Sequence, residues 1–425
     1  MSATRYLSTA LLTLAMVLLG IAAINFVVDP YLVFGRERIV GFNQAKPTAD
    51  QREWLMKAHE APRHNPRTVV LGSSRADVGI SPGSSAWPAA WAPVYNLSLA
   101  GSDLGLNLHY LQHLLRANEG RSALRQVVVG LDFESFLARP AIAAAAADPR
   151  EAEALARLDA MATATLAGRL RVWQDRSESL FTLDALLDSA STVTANRSAS
   201  PGANLGLDGQ FGDGQLRKWT QADGVAQLFR QKNADTLRSF KPPRRSLAPA
   251  DGAQMHGAPQ LAALIELCGR HRLKLVLLIQ PSHASRLEML DAMGYWPEFE
   301  HWKQALAALT DDARATGHDV VLWDFSGYEP ANLEPMPGPQ AARTPLQWYW
   351  DPVHYRPALG DRMLATITVG HATPPAALLT RTSVESRLQR VRADREAYRA
   401  AQGTEMQRWR QMVCPGPLCA RPASH

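Results

Sequence analysis

The sequence predicts an α/β protein built on a five-stranded parallel sheet, and three observations predict it. Short apolar runs rich in Val, Leu and Ile recur between residues 68 and 325. Amphipathic helical patterns lie between them. The first run ends in Gly72, Ser73 and Ser74, a tight turn that delivers hydroxyls to the carboxyl edge of its strand. Short apolar strands alternating with helices imply a parallel sheet covered on both faces. In such sheets ligands and reacting groups collect outside the carboxyl ends of the strands. Five strands of this kind suit a flavodoxin-like three-layer sandwich.

The N-terminus comes first. From Leu11 to Val28 the chain reads LLTLAMVLLGIAAINFVV, without a charge. About 18 apolar residues suffice to cross a bilayer as a helix. Arg5 precedes the run, whereas Arg36 and Arg38 follow it and weaken the orientation signal. The preferred reading is an uncleaved anchor over 1–28, with the bulk of the chain outside the membrane. A signal peptide cut near Ala22 or Ala23 is the alternative, and both readings export the remainder. A buried helix of a cytosolic enzyme is disfavoured, because nothing polar marks a solvent face. Residues 29–65 read as a linker and a surface helix, punctuated by Pro47, Pro62 and Pro66.

The strands follow over 66–375. Thr68 to Leu71 is the first. Val94 to Leu99 is the second, followed by a glycine turn at Gly101 and a helix with Leu104, Leu108, Leu111 and Leu115 on one face. QVVVGLD at 126–132, KLVLLIQ at 274–280 and DVVLWDF at 319–325 are the others, and the last two each follow an amphipathic helix. Between the third and fourth strands lies an insertion over about 139–257. Its alanine-rich first half predicts helices packed loosely as a cap. Its second half is rich in Gly, Ser and Asp and reads as loops. Asp208 and Asp213 there lack the alternating ligands and closing glutamate of a calcium loop. Beyond 375 the chain is a basic helical tail, with Arg381, Arg387, Arg390, Arg392, Arg395 and Arg399 among its charges, expected to be a solvated face.

Composition narrows the function classes. The 425 residues, 46% hydrophobic and 20% charged, are enough for one large core with insertions or for two domains. A formal charge of +5 is small for this length and gives no general nucleic-acid footprint. Cys268, Cys414 and Cys419 are too few for a disulfide scaffold, although the last two could bridge in an oxidising compartment. They bring no zinc-finger spacing, so no metal and no cofactor is expected.

The chemistry rests on two remote segments. Ser74 follows the first strand, and Trp350-Asp351-Pro352-Val353-His354-Tyr355 places a carboxylate and an imidazole three residues apart. A nucleophilic serine needs an adjacent base, and that base needs an orienting carboxylate. Ser73 is the alternative nucleophile of the doublet. Either serine could instead be an ordinary helix N-cap. His283 in QPSH follows the fourth strand and so reaches the same edge as a substrate contact or a packing residue. Trp350, with Trp348 and Tyr349, reads either as core or as a platform for a sugar ring.

With these blocks in view, the chain resembles a membrane-anchored member of the SGNH/GDSL hydrolase superfamily. It is similar to the bacterial envelope branch that contains alginate acetylation proteins and the DltD-type proteins of teichoic acid alanylation. The resemblance covers about 66–370. It implies Ser74 as nucleophile, Asp351 and His354 as its partners, and an oxyanion hole from the N–H groups of Ser74 and Gly101. The third block departs from the pattern: Gly130-Leu131-Asp132-Phe133 puts Asp132 where an asparagine amide is expected. A carboxylate cannot donate unless protonated. Either Arg75 neutralises Asp132 and both are structural, or the hole uses backbone N–H groups and Ser102.

The resemblance implies an extracytoplasmic O-acyl esterase or O-acyltransferase, single-pass in a bacterial inner membrane. Its substrate would be a cell-envelope or exopolysaccharide glycan, and an integral membrane acyltransferase would be its acyl-donor partner. The competing expectation is a non-catalytic glycan-binding or scaffold subunit of a polysaccharide assembly, which Asp132 favours.

Overall fold

A computed structural model describes residues 3–138, 148–162, 165–198, 202–240, 244–247, 255–369 and 377–402. Cys414, Cys419, Arg408, Arg410 and Arg421 lie outside the described residues. The chain divides into two compact units, one of Met1–Asn65, His109–Ser122 and Asp148–Gln215, the other of Pro66–Leu108, Ala123–Ala147 and Leu216–His425. The insertion expected over 139–257 is therefore shared between them.

The first unit begins with α1 (Ala3–Val28), the one helix among the described residues long and apolar enough to cross a membrane. Its carbonyl end is capped from within the unit: the buried Lys46 Nζ donates to Val28 O at 3.1 Å and to Asp29 O at 2.7 Å. α2 (Ala49–His64) was expected to lie on the surface, but Met56, Ala58 and Ala61 are buried in it. Its buried charges have partners, with Lys57 on Glu53 at 2.7 Å and Glu60 on Arg38 at 3.1 Å. Pairing of this kind is what allows charged side chains inside. The alanine-rich part of the insertion forms α5 (Pro149–Ala162), α6 (Leu166–Phe181) and α7 (Leu183–Ala195). These helices do not pack loosely. α6 and α7 pack on α1, and Asp175 of α6 is buried between Arg157 of α5, at 2.8 Å, and His59 of α2, at 3.4 Å.

The second unit holds the sheet. β1 (Thr68–Leu71), β2 (Val94–Asn96), β3 (Gln126–Leu131), β4 (Lys274–Ile279) and β5 (Val320–Asp324) are all parallel, in the order β2-β1-β3-β4-β5. The central strands are buried almost throughout, as continuous Val and Leu runs require in a covered sheet. This is the doubly wound order whose connections change direction between the first and third strands, opening a crevice at their carboxyl ends. β1 runs into α3 (Ser74–Gly79), and α4 (Leu104–Ala117) follows β2. The later half of the insertion supplies α8 (Gly214–Asp223) and α9 (Val225–Ser239) rather than loops alone. α10 (Ala258–Arg270), α11 (Ala284–Ala292), α12 (Trp296–Ala315) and α13 (Pro357–Val369) complete the alternation.

The basic tail forms α14 (Val384–Ala401), which is the expected solvated face only in part: Arg390 is exposed, whereas other arginines are engaged. Arg387 is buried and reaches the end of β5, with Nε 3.3 Å from Asp324 Oδ2 and Nη1 2.8 Å from Glu329. Lys303 of α12 meets the same Asp324 oxygen at 2.9 Å. Arg392 pairs with Glu300, Arg395 with Asp291 and Arg399 with Glu288. Arginines read as free positive charge are instead the counterions of acids on α11 and α12.

Candidate active site

The site is assembled at the crevice between β1 and β3. Ser73 is the N-cap of α3, its Oγ accepting the Arg75 N–H at 3.3 Å, so Ser74 becomes the first helical residue. The six-residue helix is fixed at its other end by Asn96 of β2, whose buried amide donates to Ala76 O at 3.0 Å and Ile80 O at 2.9 Å. It is also approached closely. A Cβ on Gly79 would lie 2.1 Å from the Tyr355 ring, so only glycine lets the ring of the late segment seat against α3.

The late segment is a tight loop. Trp350 N–H donates to His354 O at 2.9 Å, and Tyr349 bridges Tyr355 in antiparallel fashion, which turns Asp351 and His354 toward α3. His354 Nε2 lies 2.9 Å from Ser74 Oγ, and His354 Nδ1 lies 2.6 Å from Asp351 Oδ2. The other carboxylate oxygen accepts the Val353 and His354 backbone N–H groups, each at 2.8 Å. With Nδ1 donating to the carboxylate, Nε2 is left to accept the serine proton. Asp351 and His354 are buried, whereas Ser74 is partly exposed, so the hydroxyl can be reached from solvent.

Burial by itself would raise the Asp351 carboxyl. The charge that His354 carries when protonated and its hydrogen bond outweigh it, helped by Lys232 of α9 and the backbone N–H, and bring it down to about 2 from the ordinary 3.8. That difference is worth about 2 kcal/mol of folding stability. A depressed carboxyl contributes fully above its unfolded value and loses the contribution as pH falls through its folded one. Urea unfolding should therefore show a stability gap between the wild type and Asp351→Asn that is complete above pH ~4 and narrows toward pH ~2. A gap that stays constant over that range contradicts the assignment.

Asp132 is fully engaged. Its Oδ2 accepts Ser73 Oγ at 2.5 Å, and its Oδ1 accepts Arg75 Nη1 at 2.5 Å and Gln280 Nε2 at 3.0 Å. Arg75 is buried and spreads over three segments: Asp132 after β3, Pro281 O and Ser282 Oγ after β4 at 2.5 and 2.9 Å, and Val353 O of the late loop at 3.1 Å. Gln280 in turn accepts the Tyr355 hydroxyl at 3.0 Å. The Asp132–Arg75 pair thus ties α3, the sheet edge and the late loop together. This arrangement also separates the two serines, Ser73 bonding to Asp132 and Ser74 to His354.

Other residues singled out in the sequence have different places. Ser102 does not offer a free donor: its hydroxyl hydrogen faces Leu99 O at 2.9 Å and Gly72 O at 3.1 Å, and its oxygen accepts Asn107 Nδ2 at 3.0 Å. Gly101 is exposed, with φ at +78°, a left-handed conformation suited to glycine, and open space where a Cβ would project. His283 is buried with both ring nitrogens engaged, Nδ1 with Ser285 Oγ at 2.9 Å and Nε2 with Glu334 O at 2.8 Å. Burial pushes it down to about 4, and its backbone N–H donates to Pro352 O at 3.2 Å, so it braces the late loop. Trp350 is 1% exposed, with Arg356 4.6 Å and Arg217 5.5 Å from its ring centroid, so it is a core residue and not an open sugar platform. Sequence reading missed Asn96, Asn107 and Gln280. The signal available for Asn96 was an amide at the end of an otherwise apolar strand.

A cavity of about 270 Å³ lies by Pro281, Asp324, Asn332, Arg362 and Arg387, but no residue of the serine–histidine–aspartate relay lines it. No protein-family model, curated protein or solved structure matches the chain.

Proposed function

We propose that the protein is a membrane-tethered serine O-acyl esterase or O-acyltransferase of SGNH type, acting on a cell-envelope glycan. The observation that carries the proposal is the continuous chain of hydrogen bonds from Ser74 Oγ through His354 to Asp351. Ser74 Oγ attacks the acyl carbonyl as its proton passes to His354 Nε2, and Asp351 stabilises the resulting imidazolium. The oxyanion is received by the N–H groups of Ser74, the first of its helix and without an intrahelical acceptor, and Gly101. Collapse of the tetrahedral intermediate breaks the ester bond, and His354 returns the proton to the departing alcohol. Water or a sugar hydroxyl then attacks acyl-Ser74, with His354 as base, giving hydrolysis or transfer.

α1 serves as the anchor in this reading, with the bulk of the chain on the extracytoplasmic side of a bacterial inner membrane. The acyl group would come from an integral membrane acyltransferase. The alternative is a non-catalytic scaffold subunit, favoured by Asp132, which is ion-paired with Arg75 and offers no donor to an oxyanion.

Intact mass spectrometry after exposure to a serine-reactive fluorophosphonate tests the proposal. The wild type should gain one adduct and Ser74→Ala none. An unmodified wild type, or an adduct that survives Ser74→Ala, counts against it.

A further inference from the structure

We infer that the α6–α7 hairpin is a second membrane contact, its tip seated among the lipids of the leaflet where α1 emerges. The inference rests on the reading of α1 as the anchor. The turn between the helices lies beside the carboxyl end of α1: Asn25 Nδ2 donates to Leu180 O at 2.9 Å, and Asn25 Oδ1 accepts Ser189 Oγ at 2.8 Å. Tyr31, just beyond α1, donates to Asp188 at 2.6 Å. The face of α1 that is withdrawn from solvent runs Ile21, Ala22, Asn25 and Val28, spaced as one helical stripe.

These contacts set a depth. The apolar segment of α1 from Leu11 to Val28 is about 27 Å long at 1.5 Å per residue. Whatever covers Ile21 to Val28 therefore lies within about the last 10 Å of that span. Asn25 points the same way. An amide in hydrocarbon needs a partner from another helix, and this one is wholly buried with both of its polar atoms paired to the hairpin.

The exposed residues of the hairpin have the composition for this position. Leu166, Leu170 and Trp173 on α6, Phe181 at the turn, and Leu183 and Leu187 on α7 are exposed, with Trp173 66%, Leu183 66% and Leu187 61% open. Arg169, Arg176, Glu178 and Asp184 are exposed on the same two helices, which fits an interfacial seat and not a second span. Water is an unfavourable neighbour for such a run of large apolar side chains. Its continuity with the end of α1 makes lipid the occupant.

The test uses the full chain in nanodiscs of phosphatidylcholine and phosphatidylglycerol, with Cys268, Cys414 and Cys419 replaced by serine. A nitroxide is placed at Phe181→Cys or Leu187→Cys, and for reference at Leu14→Cys within α1 and at Glu119→Cys. Relaxation by oxygen relative to a water-soluble nickel chelate should be several-fold higher at 181 and 187 than at 119, approaching that at 14. Nickel-dominated relaxation at 181 and 187, with position 14 in lipid, overturns the inference alone. Shielding of both labels from both reagents also overturns it, and assigns the face to a partner protein or a second copy. Nickel access at position 14 overturns the anchor reading itself.

Discussion

Ser74→Ala is expected to lower hydrolysis of a small chromogenic ester such as 4-nitrophenyl acetate by about 10⁴-fold or more, while leaving the fold intact. Alanine keeps the Ser74 Cβ, and among the described residues the hydroxyl bonds to His354. His354→Ala should fall into the same range, and the double variant should be little worse than either, because the two groups act as a unit. Ser73→Ala is the informative contrast. Its hydroxyl is bonded to Asp132, so its loss should cost about 1–3 kcal/mol of stability and leave turnover within about tenfold of the wild type. Equal activity losses for the two serines would mean that the doublet works as a structural cap and not as a nucleophile with its neighbour.

The second large effect lies in the ion pair beneath the site. Arg75→Met leaves Asp132 without its counterion, and Asp132→Asn leaves the buried guanidinium unbalanced, so each should destabilise the protein by about 3–5 kcal/mol. Because Arg75 also holds Val353 O, its replacement should release the loop that carries His354 and reduce turnover as well. Combining the two substitutions should cost less than the sum of the single effects, as expected for residues in direct contact. Urea unfolding of the three variants measures this. If Asp132→Asn left stability unchanged and raised turnover, the position would be an oxyanion donor in waiting, and the counterion account would be wrong.

Much of the α/β unit was legible because its signals are local. Apolar runs such as Val127–Val129 and Leu275–Ile279 have few alternatives to buried parallel strands, and all five predicted strands are present. The Asp351–His354 spacing was legible for the same reason, since two residues three apart in a tight loop can share a hydrogen bond. What local pattern could not carry was pairing at a distance. The arginines of α14 resemble a solvated face until Asp324, Glu300 and Asp291 are brought opposite them. By local pattern Trp350 could be core or a sugar platform and His283 a packing residue or a substrate contact, because their environments are set by Arg217, Arg356 and Glu334 from remote segments. Asp132 looked like a defect in an oxyanion hole because its partners, Ser73, Arg75 and Gln280, come from two other strand ends. The insertion was misjudged because alanine content reports helix propensity and says nothing about which helix it will cover.

Central to this account is that Ser74 alone is activated by His354. Trypsin cleavage after Arg67 and Arg75 isolates the peptide Thr68 to Arg75, which contains both serines of the doublet. Fragmentation of that peptide from fluorophosphonate-treated wild type should place the modification on Ser74, and the same peptide from His354→Ala should be unmodified. Modification of Ser73, or labelling of Ser74 that persists without His354, would contradict the account.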